Sequence, residues 1–534
     1  MKLNRFSKSI AATSVATLVA ALAVVVVPAA SAAPTCSTTL GVETCVGKLT
    51  NGAGYVFKMP AKFRGTMFFW EHGFRPTYPG VSAVPKGVEE ITPGNSNTST
   101  DVTKEMLQSG HALAAYDGTV QGLRGWNNTY RVEMMKEVID IANAHYGDAI
   151  QRRVLYGSSQ AGSIITPFVE KYPKYVDAVG IMAGTTPSIA ESLQSLCDAM
   201  YIMSVFFDPT IKGCAAFGTK GVPGHMASVG ELLKVVALLK AWQVNMGTPG
   251  IEYPAALKPY GIPQRSALLL TGLLIGIPTK SAHMDGISTS TLVPEQSINA
   301  TVAVLENMAE AIATGVLAGQ SISEITGPGF YDNTKTDYSA LLDEADSGRY
   351  NLGLSGDEAI AAMLGTLAAA PRVTGDAAAV AKFKALDKST FTSTLPTVLI
   401  SNEADRLVFP GNAARYVDRK QAVYEAALAK WEATKVGPKP VWNTLALYAI
   451  TPETYTKFTA TGAPDLTAAP SPSGVGHQTF SKKQTLAWVS MLATAARSGR
   501  VPSEKSALQI LERTPYMSTD LFYRPADLKY NFSE

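Results

Sequence analysis

The sequence predicts an α/β fold, a mostly parallel sheet with helices on both faces and a large helical insertion inside it. Two observations carry this. Apolar strands alternate with amphipathic helices over residues 53–190, and the same alternation returns from residue 396; between these blocks the periodicity is helical alone. Strands that are apolar throughout are buried on both faces, as in a parallel sheet. Of 534 residues 46% are hydrophobic, and 46 basic residues face 44 acidic ones. That excludes a disordered chain and a nucleic-acid binder held by bulk charge.

The N-terminus reads as a signal peptide over 1–32. Lys2, Arg5 and Lys8 form a positive region, residues 10–27 are uncharged and apolar, and Ala30-Ser31-Ala32 offers a small-residue cleavage site. The apolar run is long enough to anchor in a membrane, but the cleavage site and the Ala/Pro-rich exit favour removal. The expectation is a secreted protein, extracellular or periplasmic, with no stable membrane anchor after processing. Four cysteines remain, Cys36, Cys45, Cys197 and Cys214. An even count in an exported chain points to disulfides. Of three connectivities, the local pairs Cys36–Cys45 and Cys197–Cys214 close the shortest loops at the lowest entropy cost. No C-x-x-C pair and no His-rich cluster supports zinc.

The first core block is expected over 33–185. Strands are read at 54–59, 66–70, 112–116, 153–156 and 175–182, and helices at 131–146 and from 164. The insertion spans 186–395, with helical segments at 226–246, 265–277, 298–318 and 357–369. Segment 265–277 is almost wholly apolar yet too short to cross a bilayer. It reads as a buried helix or a lid over an apolar substrate. The second core block, 396–500, carries strands at 397–401 and 444–450 and helices at 411–433 and 482–496. The tail 501–534 is polar and aromatic and is expected on the surface.

The stretch Gly157-Ser158-Ser159-Gln160-Ala161 runs from a strand straight into a helix. A nucleophile on so sharp a turn needs small residues two before and two after it. Gly157 and Ala161 satisfy this for Ser159; the corresponding neighbours of Ser158, Tyr156 and Gln160, are too large. A serine hydroxyl needs a base. Of six histidines only His477 follows a late acid-bearing strand, in Gly476-His477-Gln478, before a helix. The acid should leave the strand at 397–401, where Asp405 is preferred to Glu403 because the loop turns there toward Val408 and Pro410. It would accept from the imidazole and fix its tautomer. Oxyanion donors are expected from the main-chain N–H groups of Gln160, after the nucleophile, and Phe74, in the loop Glu71-His72-Gly73-Phe74. His72 reads as a support for that loop.

These residues together resemble the α/β-hydrolase superfamily of secreted serine esterases, lipases and peptidases. The resemblance spans roughly 53–190 and 395–498 and rests on His72-Gly73, the turn around Ser159, the Asp405 loop and Gly476-His477, in the order serine, acid, histidine. It implies a Ser-His-Asp hydrolase in which the insertion sits over the nucleophile, and the serine excludes the aspartate-nucleophile branches. The leading expectation is a carboxylic ester hydrolase acting through an acyl-enzyme on a small-molecule or polymeric ester with an apolar group. One alternative is an exported aminopeptidase, with Glu191, Asp198, Asp285, Glu306 or Glu310 holding a substrate ammonium. Another is a non-catalytic binding protein. No P-loop, dinucleotide fingerprint or metal cluster appears, so no cofactor is inferred.

Overall fold

Met67, Phe68, Phe69 and Trp70 are consecutive and all buried, yet they belong to two different cores. Successive side chains of a strand point to opposite faces, and here both faces are covered. Met67 and Phe69 meet Val132, Ile139, Ile164 and Phe168 from helices Asn128–Tyr146 and Gly162–Lys171. Phe68 and Trp70 join the core formed by Trp488 and Leu492 of helix Lys482–Ser498. The protein is described by a computed structural model covering residues 33–75, 90–93, 100–119, 125–245, 254–286, 294–462, 464–519 and 528–532. The leader expected over 1–32 lies outside the described residues.

The sheet has ten strands: β1 (Thr35–Thr39), β2 (Val42–Lys48), β3 (Gly54–Pro60), β4 (Thr66–Glu71), β5 (Ala112–Tyr116), β6 (Arg152–Ser158), β7 (Ala178–Met182), β8 (Thr397–Asn402), β9 (Thr444–Ala449) and β10 (Met517–Ser518). Their order is β1-β2-β3-β5-β4-β6-β7-β8-β9-β10. The central six, β5-β4-β6-β7-β8-β9, are parallel, with β4 pairing β5 and β6, β7 pairing β6 and β8, and β9 pairing β8. The outer strands are antiparallel. The carboxyl ends of the parallel strands therefore share one edge, where α/β sheets carry their sites.

Between β7 and β8 every described element is helical. These helices bury a core of their own, including Leu193, Met200, Leu269, Leu273, Val304, Met308 and Ile312. The apolar helix Gln264–Ile275 packs into it: every residue from Ser266 to Ile275 is buried. Its apolar surface thus goes to helix–helix packing, as expected of a helix apolar on all sides. The disulfides are the sequence-local pairs, Cys36–Cys45 across β1 and β2 and Cys197–Cys214 within the insertion.

Among the elements that escaped the sequence reading, three have a clear physical reason or consequence. The β1–β2 hairpin is largely polar and exposed and has no apolar period to detect. Helix Ile189–Phe206 is buried around nearly its whole circumference, so it too shows no stripe. The tail is more than a surface segment: it forms helix Glu504–Leu511, adds β10 to β9, and sends the Tyr530 hydroxyl to the buried carboxylate of Asp198 inside the insertion.

Asp387 ties the two ends of the insertion together. It lies at the exit, yet its carboxylate accepts the N–H groups of Ala190 and Glu191 at 3.0 Å each, at the start of helix Ile189–Phe206. Burial pushes its pKa up to about 7. The native state therefore holds this proton more tightly than the unfolded chain, whose Asp titrates near ~3.9. The resulting stability is fully present below pH ~4 and is lost as pH rises through about 7. Asp387→Asn keeps an acceptor for the helix start and removes the titration. Urea unfolding across this range should show a flatter pH dependence in the variant, by up to ~1.4 kcal/mol per pH unit.

Candidate active site

Ser159 follows β6 directly and begins a short 3-10 turn leading into helix Gly162–Lys171. Its φ is +57°, a conformation that costs a non-glycine residue energy. Sterics explain why the neighbours are small. A Cβ at Gly157 would lie 2.4 Å from the Glu71 carbonyl oxygen and 2.6 Å from the Ala161 Cβ. A Cβ at Gly73 would lie 3.0 Å from the Ser159 Cβ and 3.7 Å from its Oγ. The loop after β4 thus passes directly against Ser159. Ser158, the rival nucleophile, is buried at the end of β6, whereas Ser159 is partly exposed.

The loops after β8 and β9 bring Asp405 and His477 together. Ala404 and Val475 pair in a parallel bridge, closed by Ala404 N–H to the Gly474 carbonyl at 2.8 Å and Gly476 N–H to the Ala404 carbonyl at 3.1 Å. The Asn402 side chain donates to the Gly476 carbonyl at 2.8 Å. His477 Nδ1 lies 2.8 Å from Asp405 Oδ2, while Asp405 Oδ1 accepts the N–H groups of Leu407 and Val408 at 2.8 and 3.0 Å. A fully acceptor-bonded carboxylate makes Nδ1 the donor and leaves Nε2 as the acceptor. In this structure that Nε2 takes a hydrogen bond from the Gln478 side-chain amide at 3.0 Å. Glu403, the rival acid, is buried and bound elsewhere, to the N–H and hydroxyl of Thr451 at 2.9 and 2.7 Å and to Lys280 at 3.6 Å. Ser159 leaves β6 and Asp405 leaves β8, two strands apart at the same sheet edge. At ~4.8 Å per strand this spacing is about 10 Å, within reach of two side chains in relay.

Beneath Ser159 lies a buried polar cluster. Arg131 is fully buried and donates to Glu71, to the His72 carbonyl and, at 2.9 Å, to Gln160 Oε1. Gln160 Nε2 donates in turn to the Gly125 carbonyl at 3.1 Å and Asn128 Oδ1 at 2.8 Å. Tyr116 donates to the second Glu71 oxygen at 2.7 Å. His72 Nε2 accepts the Gly118 N–H at 2.9 Å, so Nδ1 carries the proton and donates to the Gly73 carbonyl at 2.7 Å. Burial, with Arg131 and Arg75 nearby, holds the His72 pKa well below its ordinary value and keeps the ring neutral. His72 therefore braces the loop. Phe74 and Trp126 make a tilted ring contact with centres 5.7 Å apart, and the main-chain N–H of Trp126 donates to the Ser321 hydroxyl of the insertion at 3.0 Å.

A mostly parallel sheet with a positive-φ serine on a strand-to-helix turn decides the fold. It is an α/β-hydrolase fold. No protein-family model and no curated protein matches the chain. Among solved structures it is similar to feruloyl esterase B from Aspergillus oryzae, at 9% identity and a TM-score of 0.34, covering 86% of this chain and 82% of that one. It is also similar to a rice cell wall degrading esterase from Xanthomonas oryzae, at 11% identity and a TM-score of 0.31, covering 78% and 85%. A monoacylglycerol lipase from Paleococcus ferrophilus is similar at 11% identity and a TM-score of 0.24, covering 72% and 84%.

Within this α/β-hydrolase fold, Arg131, Tyr116 and the side chain of Gln160 were not read as site residues from sequence. The available signal was Glu71, a carboxylate ending a strand buried on both faces, which demands a buried partner.

The steric account of the turn is directly testable. Gly157→Ala must displace either the β4 backbone or Ala161. Its unfolding free energy should fall by about 2 kcal/mol or more, whereas Gly499→Ala, where a Cβ meets nothing within 4 Å, carries only the strain of its +68° φ. Equal losses would show that crowding at Gly157 is relieved at no cost.

Proposed function

We propose that this protein is a secreted serine hydrolase that cleaves carboxylic esters. Ser159 Oγ attacks the ester carbonyl carbon while its proton passes to His477 Nε2. Asp405 holds Nδ1 and stabilises the imidazolium. The alcohol leaves with the proton from His477, and water, activated by the same base, releases the acid from the acyl-enzyme. The main-chain N–H groups of Phe74 and Gln160 would receive the oxyanion. The observation that carries this reading is the Asp405–His477 pair, bonded at 2.8 Å on the same sheet edge as the strained Ser159 turn. Export agrees with two disulfides, which persist in oxidising compartments. In this reading the insertion covers the nucleophile and Phe74 and Trp126 offer an apolar wall for the substrate.

The aminopeptidase reading is weaker, because each acid it would use has another partner. Glu191 pairs with Arg419 and Glu310 with Arg406. Asp198 accepts from Tyr331, Tyr338 and Tyr530. Asp285 accepts from main-chain N–H groups of Tyr455 and Thr456, and Glu306 from Ser281 and His283.

Ser159→Ala should fold normally and lose activity on a small activated ester by about 10⁴-fold or more. A fluorophosphonate should label the wild-type protein at Ser159 alone. Labelling at Ser158, or hydrolysis of aminoacyl amides faster than of esters, would redirect the assignment.

A further inference from the structure

We infer that Arg131 is a positioning residue that sets the geometry of the oxyanion hole, holding both of its halves through one guanidinium. The inference rests on the serine-hydrolase reading above and concerns a residue that touches neither substrate nor nucleophile in that reading. The two proposed donors lie on separate segments. Gln160 follows the nucleophile, and Phe74 belongs to the loop after β4. Nothing in the sheet's own hydrogen bonding joins these segments beyond Glu71, the last β4 residue paired with β6. Arg131 does. Its Nη1 donates to the Gln160 side-chain oxygen at 2.9 Å, and its Nη2 donates to the His72 carbonyl and to Glu71.

Each half is then fixed by a second contact. The Gln160 amide is held at its other end by Gly125 and Asn128, so the residue can neither turn nor slide. The peptide that starts at the His72 carbonyl leads to Phe74 through Gly73, where any Cβ would touch Ser159. The His72 ring clamps the same turn from Gly118 to the Gly73 carbonyl. A planar guanidinium can serve both sides at once because its donors form a rigid fork; an ammonium offers only a point. Glu71 neutralises the charge, and Tyr116 occupies the remaining Glu71 oxygen. The role is therefore placement of N–H groups more than supply of a field. Preorganised donors matter most in the transition state, where the oxygen carries charge.

The test compares wild type, Arg131→Lys, Gln160→Met and the charge-neutral double variant Glu71→Gln/Arg131→Met, which leaves no unpaired buried charge should Arg131→Met alone fail to fold. Each is assayed for kcat and KM on a p-nitrophenyl ester, for the acidic limb of its pH–rate profile, and for affinity toward a trifluoromethyl ketone, which forms a charged tetrahedral adduct on the serine. We expect kcat to fall about 10²-fold in the double variant and in Gln160→Met, with KM within a few-fold of wild type. Affinity for the ketone should fall in parallel. The acidic limb should stay in place, because Asp405 and His477 are untouched, and Lys at 131 should not restore kcat. Wild-type kcat and ketone affinity in the folded double variant, or full activity with Lys at 131, would overturn the inference while leaving the hydrolase reading intact. A wild-type protein that neither hydrolyses esters nor is labelled at Ser159 would instead overturn that reading, and this inference with it.

Discussion

Glu71 and Arg131 place opposite charges at the carboxyl edge of the sheet, where neither reaches water. Taking both out of water is costly, and a buried pair seldom stabilises a fold relative to well-packed apolar residues. What such a pair gives is direction. Burial pushes the Glu71 carboxyl up and the Arg131 guanidinium pulls it back. The remaining donors of the arginine and the second oxygen of the glutamate must still find partners, and those they find are the His72 carbonyl, Gln160 and Tyr116. The arrangement of β4, β6 and helix Asn128–Tyr146 around Ser159 follows from satisfying that one pair.

The loop after β8 solves a similar problem by division. It carries two carboxylates two residues apart, Glu403 and Asp405, both without exposed surface. Glu403 points to Thr451 and Lys280 and ties the loop to the segment after β9. Asp405 is satisfied on one oxygen by its own loop and offers the other to His477. Both are needed in the same place: the first fixes where the two loops lie relative to each other, and the second uses that registry to hold an imidazole. Removing Lys280 and Thr451 from Glu403 would leave an unsatisfied buried charge beside the histidine loop, so the placement of Glu403 is a condition for the Asp405–His477 contact.

Much of this was legible in the sequence, and the reason is physical. Ser159, Asp405 and His477 each follow a strand whose apolar run marks its end, and the turn at Ser159 imposes size limits that Gly157 and Ala161 display openly. The acid choice was legible only as a preference, since nothing local to residues 402–410 says that Thr451 and Lys280 will claim Glu403. Arg131 was not read as a site residue, although helical spacing sets it on the same buried stripe as Met135, Val138 and Ala142. What no local pattern gives is its partner, Glu71, which lies on a strand 60 residues away in sequence. Helix Ile189–Phe206 and the β1–β2 hairpin failed for opposite reasons: one is buried on all sides and the other on almost none, and in both the periodic contrast on which pattern reading depends is missing.

The insertion is bound to the sheet edge by more than its two chain crossings. Ser321 accepts from the main-chain N–H of Trp126, whose ring contacts Phe74; Glu310 pairs with Arg406, next to Asp405; and Arg419 of helix Gly411–Thr434 reaches Glu191. Two of these contacts land on segments that border Ser159 and Asp405. The tail adds a further strap, with the Phe532 N–H on Glu191 at 2.9 Å and Tyr530 on Asp198. Most of the apolar surface of the insertion's helices is buried among themselves, with Trp126, Phe409 and Leu528 from outside the insertion joining the same core, so these polar contacts are not what hides it. They set instead where the helical unit sits against the edge. A unit fixed by a few directional contacts at its rim can change sequence inside its core, by volume-conserving substitutions, without moving the residues at the edge it covers.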